Sequence, residues 1–123
     1  TLAMRARPDL FFAGQITGIE GYAGNAASGL LAGLNAARLL RGEAPVALPH
    51  ETMLGALCRY ITTADPRHFQ PMKSNFGLLP PLATPPRGRP DRNRAHAERA
   101  LSALDAWLAA SGEPATALQE PTP

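Results

Sequence analysis

The segment Leu10-Phe11-Phe12-Ala13-Gly14-Gln15-Ile16-Thr17-Gly18 constrains this chain more than any other part of it, because it runs on through Glu20-Gly21-Tyr22 into an Ala/Gly-rich stretch from Ala26 to Ala37. The apolar run Leu10–Ala13, bounded by Pro8-Asp9 and by Gly14, predicts a short buried strand. Glycines at 14, 18, 21 and 24 predict a turn-rich connection. The stretch beyond predicts a helix whose N-terminus faces that turn. A strand, a glycine turn and a helix start in this order bring backbone N–H groups close to an anionic ligand. The strand-linked Gly-x-Gly-x-x-Gly fingerprint that often accompanies such a turn does not occur in the 123 residues.

The remaining elements follow from punctuation and period. Asn25 is suited to cap the first helix, which should end near Leu40 before Gly42. Its small residues at 26, 29, 33, 36 and 37 share a face, which implies either close packing on a sheet or, at the helix start, approach to a ligand; packing is the simpler reading for Gly29 and Gly33, ligand approach for Gly21 and Tyr22. Thr52 should cap a second helix to about Thr63, with Leu54, Leu57, Cys58 and Ile61 on its buried face. Phe69 to Leu82 has neither helical nor strand period, yet carries Phe69, Met72, Phe76, Leu78 and Leu79. It must lie on a surface, supplied either by the first two helices or by sequence outside the chain. Asp91 should cap a third helix to about Ala110, with Ala97, Ala100, Leu101, Leu104, Trp107 and Leu108 as its apolar stripe. The expected organisation is therefore residues 1–82 as one unit, a Pro/Arg linker and helix over 83–110, and a disordered tail over 111–123.

Composition narrows the function classes. A formal charge of +2 does not argue for nucleic-acid binding, but four arginines, Arg87, Arg89, Arg92 and Arg94, are clustered. Flexible cations at this density suit phosphate contacts; no aromatic residues interleave for base stacking, and a solvated linker is the competing reading. The single cysteine, Cys58, excludes an internal disulfide and fits a reducing cytoplasm. It lies on an apolar helix face without a neighbouring base, so it reads as a core residue and not a nucleophile. His50, His68 and His96 lie in separate segments, and no metal-ligand spacing occurs. No catalytic residue is assigned. Glu20, among glycines, is a cofactor contact, an acid/base group or a solvated carboxylate. Asn25, Ser28, Asn35 and Arg38 interrupt the longest apolar stretch, so no membrane-spanning helix is predicted.

The run Leu10–Tyr22 and the run Ala26-Ala-Ser-Gly-Leu-Leu-Ala-Gly-Leu-Asn-Ala-Ala37 resemble the C-terminal part of the TrmFO family, the folate- and FAD-dependent tRNA (uracil-5-)-methyltransferases related to MnmG/GidA. Leu54–Thr62, Phe69-Gln-Pro-Met72 with Asn75-Phe-Gly-Leu-Leu-Pro80, and Ala97-Glu-Arg-Ala-Leu101 before Trp107 extend the resemblance to about residue 108 and favour TrmFO over its relative. It departs in two places. The family commonly has a carboxylate just after the Gly-Tyr pair where this chain has Ala23, Gly24 and Asn25, and it often has Asn-Ala where Lys73-Ser74 stand, a change expected to affect only a surface.

The resemblance implies an α/β fold: the C-terminal piece of a Rossmann-like FAD-binding domain, mostly helical by itself, with about three helices and one or two short strands. It implies FAD, methylenetetrahydrofolate and NAD(P)H as cofactors and tRNA as partner, with a methylene group passed through the flavin to C5 of a T-loop uridine. Gly14 and Gln15 would lie near the ribityl-phosphate part of FAD, and Gly21 and Tyr22, beside Glu20, near the flavin pyrimidine edge. The glycine fingerprint and catalytic cysteines of the family would belong to N-terminal sequence that this chain lacks. The strand at Leu10–Ala13, so soon after Thr1 and with no partner strand in view, carries the same expectation. The alternatives are a stand-alone RNA- or partner-binding module without catalysis, using Arg87, Arg89, Arg92 and Arg94, and a structural remnant that pairs with a separately encoded N-terminal half.

Overall fold

A computed structural model describes residues 1–111. The fold is α/β and mostly helical. Two small two-stranded sheets and three helices follow the order β1 (Ala3–Met4), β2 (Arg7–Phe11), β3 (Ile19–Glu20), α1 (Tyr22–Leu40), α2 (Met53–Thr63), β4 (Met72–Lys73) and α3 (Arg89–Ser111). Single 3-10 turns occupy Gly14–Thr17 and Phe76–Leu78.

The first strand corrects the expectation in position, partner and burial. It covers Arg7–Phe11, and it pairs antiparallel with β1, Ala3 opposite Phe11 and Met4 opposite Arg7, with an irregular register between them. A tight reversal at Arg5-Ala6 makes this local hairpin possible, and the Arg7 guanidinium grips the Asp9 carboxylate at 2.8 and 2.7 Å. Pro8 lacks a donor and suits an edge position. Leu10 and Phe12 remain 40% and 39% exposed, because nothing among the described residues covers their outer side.

α1 begins at Tyr22, earlier than Asn25 suggested. Gly21 (φ +87, ψ 149) takes the cap position, in a conformation that residues with a Cβ rarely adopt. Asn25 thus falls within the first turn, its N–H donating to the Gly21 carbonyl at 3.0 Å. The other end closes as expected at Gly42 (φ +74): the Gly42 N–H donates to Leu39 O and the Glu43 N–H to Arg38 O, which gives two of the end carbonyls a partner. Glu43 also pairs with Arg41 at 2.6 Å, and that hydrogen bond lowers its carboxyl pKa.

The inner face of α1 buries Gly24, Ser28, Leu31, Ala32 and Asn35, the spacing of one helical stripe. Asn35 is wholly buried and fully used: its amide donates to Thr1 O and Val46 O at 2.8 and 2.9 Å and accepts from the Val46 N–H at 2.7 Å. The small-residue face is different. A Cβ on Gly29 or Gly33 would meet nothing within 4 Å, so no described residue supplies the close packing expected at them.

α2 starts at Thr52 as expected, its hydroxyl accepting from the Gly55 N–H at 3.1 Å. Leu57 and Ile19 are the largest wholly buried apolar side chains, each worth about 1.5–3 kcal/mol in burial. The irregular apolar segment is laid down against both neighbours: Phe69 stacks on Tyr60 of α2 at 5.7 Å, Met72 joins β4 beside β3, and Leu79 is buried.

α3 begins at Arg89, so Asp91 lies in its first turn instead of capping it. None of its residues is buried, and Leu101 on the expected stripe is largely exposed. Arg99 ties the helix down by donating to Pro80 O and Pro81 O at 2.6 and 2.9 Å, and the Phe76 ring lies tilted against His96 at 5.6 Å. No helix among the described residues is long and apolar enough to cross a membrane. The expected tail, apart from Ser111 at the end of α3, lies outside the described residues.

Candidate functional site

The glycine turn is held against α1 from both sides. The Gly14 N–H donates to the buried Ser28 hydroxyl at 2.9 Å, and that hydroxyl donates to Asn25 O at 2.9 Å. Thr17 Oγ1 closes the turn on Gly14 O at 2.6 Å. Gly18 then passes directly under the Phe69 ring, where any Cβ would overlap the ring. The Met72 N–H donates to Gly18 O at 2.8 Å and starts the parallel pairing of β3 with β4, Ile19 beside Met72 and Glu20 beside Lys73. The Phe69–Met72 block thus packs against Gly18 and sets Lys73 next to Glu20.

These pieces enclose an open pocket of about 370 Å³ lined by Gln15, Glu20, Gly21, Tyr22, Asn25 and Lys73. Four of the residues singled out in the sequence, Gln15, Glu20, Gly21 and Tyr22, are brought together there. Gly14 sits behind them: a Cβ on it would lie 3.9 Å from Asn25 Oδ1. Tyr22 is 97% exposed. No side chain caps the start of α1, and its first turn carries no carboxylate. Its partial positive charge therefore remains available to a negative group. Asn25 Oδ1 is buried and has no hydrogen-bond partner among the described residues. A buried acceptor of this kind costs free energy until a donor reaches it. A Cβ on Gly21 would meet nothing within 4 Å, so backbone is open on the pocket side.

Two wall residues were not read from the sequence as contacts. Asn25 has the composition of a cap, and Lys73 reads in the sequence as a surface substitution. Lys73 is exposed, but the surface is the pocket wall. The sequence marks Lys73 only as a charge beside Met72, and its meaning depends on the parallel pairing of Glu20 with Lys73, far apart in the chain.

The arginine cluster divides. Arg87, Arg89 and Arg94 are exposed, whereas Arg92 is half-buried and donates to Arg87 O at 2.9 Å and Pro86 O at 3.4 Å. Arg92 therefore braces the start of α3. Cys58 is half-buried, and its burial pushes the thiol pKa up, opposite to what a nucleophile requires. It faces a separate cavity of about 450 Å³ that also touches His50 and Trp107.

The chain is similar to known proteins along most of its length. Residues 1–44 match the family model described as glucose inhibited division protein A. Over 113 residues the chain is 58% identical to the methylenetetrahydrofolate–tRNA-(uracil-5-)-methyltransferase TrmFO of Desulforudis audaxviator, covering 91% of this chain and 26% of that protein. The proteins of the same name from Heliobacterium modesticaldum and Geobacter sulfurreducens are 54% and 56% identical over 109 residues, each match covering 89% of this chain and 25% of the relative. The chain spans about a quarter of the length of the curated relatives it matches. With more than half of the residues identical along nine tenths of the chain, it belongs to the TrmFO family as a segment of that length.

Proposed function

We propose that this chain is the C-terminal segment of a flavoenzyme that methylates C5 of a T-loop uridine in tRNA, with methylenetetrahydrofolate as carbon donor and NAD(P)H as reductant. The observation that carries the reading is the convergence of Gln15, Glu20, Gly21, Tyr22 and Asn25 on one pocket at an uncapped helix start. The names of the relatives support the tRNA, the uracil C5 position and the folate.

The pocket residues fit a flavin. The buried, unpartnered Asn25 Oδ1 suits an imide N–H, and the α1 start suits the adjacent carbonyl oxygen, which gains negative charge on reduction. Gly21 leaves room for a ring edge, Tyr22 shields it from one side, and Gly14 and Gln15 would serve the ribityl-phosphate end. When bound, the flavin supplies electrons and relays the one-carbon unit. This chain contributes binding, orientation and charge, and the reacting thiols come from elsewhere in the enzyme. By itself the chain holds FAD too weakly to be yellow. Residues 1–82 act as the end of the FAD domain, and residues 83–110 present Arg87, Arg89 and Arg94 to tRNA phosphates.

The test is expression of the gene with its native flanking sequence, followed by assay of the purified protein on unmodified tRNA. Bound flavin and 5-methyluridine formed with labelled methylenetetrahydrofolate are the expected result. Product that carries no label from the folate, or a protein without flavin, would overturn the reading. For the arginines, tRNA affinity should fall with salt, and replacing Arg87, Arg89 and Arg94 by Gln should flatten that dependence.

A further inference from the structure

The side chains of Glu20 and Lys73 leave neighbouring parallel strands at the same register position, so they stand side by side on one face and both line the pocket. Neither side chain makes a hydrogen bond or ion pair with another described residue. Among the described residues, Lys73 is the one cationic side chain in the pocket wall, and Glu20 the one carboxylate. A wall with a carboxylate and the Asn25 oxygen for acceptors, and an ammonium for donor, matches a planar ring edge on which N–H groups alternate with carbonyl or anionic oxygens.

We propose that Lys73 sets the charge preference of this pocket, favouring such a ring edge in its anionic form. This rests on the reading of the pocket as the flavin pyrimidine site, and on that reading the favoured form is the reduced flavin anion. The helix start alone cannot select strongly, since its partial charge is opposed by Glu20. The Lys73 ammonium adds a full charge beside that carboxylate and tips the balance. Because Lys73 is exposed, the preference should be about two- to fivefold in affinity and should shrink with salt.

Lumiflavin, the bare ring system, tests this on the whole 123-residue chain by amide NMR, in its oxidised form and as the dithionite-reduced anion. The expected result is that both forms shift the amides of residues 21–25, with the reduced anion bound about two- to fivefold tighter. Lys73→Gln should abolish that preference and Lys73→Arg should keep it. Both variants should otherwise preserve the dispersed spectrum, since the position is on the surface. An unchanged preference in Lys73→Gln overturns the role of Lys73 and leaves the pocket reading intact. If neither form shifts those amides in the unsubstituted chain at millimolar concentration, on the order of weak fragment binding, the pocket reading fails and this inference with it.

Discussion

The joint where β3, β4 and α2 meet and the outer face of the hairpin and α1 are built from similar residues and end in opposite states. At the joint, Ile19 and Leu57 are wholly buried, Gly18 lies under the Phe69 ring, and Gly55 fits beneath the Pro49 carbonyl with no room for a methyl group. On the outer face, Leu10 and Phe12 are about two-fifths exposed, Leu30 is 77% exposed, and Gly29 and Gly33 have open space beside them. Apolar composition alone therefore does not define a core in this chain. Partners do, and one region carries its partners within the described residues while the other does not. Exposed apolar surface of this kind usually marks an interface. A chain that spans a quarter of its relatives has an obvious class of candidate for covering it: the remainder of the family fold.

The sharpest way to break the comparison is at Gly55. A Cβ there would overlap the Pro49 carbonyl oxygen and come within 2.9 Å of the Leu48 carbonyl oxygen, both of them backbone. Relief requires moving the connector away from α2, so Gly55→Ala should cost about 3 kcal/mol or more, or abolish cooperative unfolding in urea. An unchanged urea midpoint would mean that the connector is not fixed where the joint requires it. Leu57→Ala comes next. It removes a fully buried side chain and should cost about 2–5 kcal/mol by the same measurement, depending on how far Ile19 and its neighbours collapse into the space. A cost below about 1 kcal/mol would place Leu57 in the same class as the outer face.

Cys58 sharpens the comparison at the edge of the joint, where burial is partial. Its thiol pKa is pushed up by burial. The folded chain thus holds the thiol proton more tightly than the unfolded chain does. Its contribution to stability is complete below the ordinary thiol range and is lost as pH rises through the higher folded value. Two results are expected: slower alkylation of the native chain than of the urea-unfolded chain at equal pH, and a decline of stability at alkaline pH that Cys58→Ala lessens. Alkylation faster in the native chain would mean an activated thiol and would reopen the question of a chemical role.

The contrast between the regions also explains what could be read in advance. The helices were legible because their signals are local: Thr52 before an amphipathic run, Gly42 after one, and a stripe that repeats every turn. Gln15, Glu20, Gly21 and Tyr22 line one pocket; Glu20, Gly21 and Tyr22 stand out in the sequence for their place in the glycine-punctuated turn before the helix, Gln15 through the family resemblance. Asn25 misled because a polar residue before an apolar run has the composition of a cap, while Gly21 could adopt the cap conformation four residues earlier. The β1 partner was missed because two residues of strand carry no period. Lys73 was missed because its place depends on Phe69 seating over Gly18, a tertiary contact with no local mark. The burial of Leu10 and Phe12 was overestimated for the same physical reason: hydrophobicity shows that a side chain favours cover, not that cover is present.

The smallest effect is expected on the outer face, and it is the one that decides whether the contrast is real. If Leu10 and Leu30 are as open as their exposure indicates, polar replacements remove little buried area, and the double variant Leu10→Thr/Leu30→Gln should change unfolding free energy by no more than about 0.5 kcal/mol. The same substitutions should act clearly on association. Large exposed apolar side chains promote self-association or uptake of a complementary surface, so the double variant should sediment as a smaller species than the unsubstituted chain at equal concentration. A loss of more than about 1.5 kcal/mol from the monomer, without any change in sedimentation, would mean that these side chains are already covered within the chain. The division between a closed joint and an open face would then fall, and with it the argument that the outer side of α1 and the hairpin awaits the rest of the family fold.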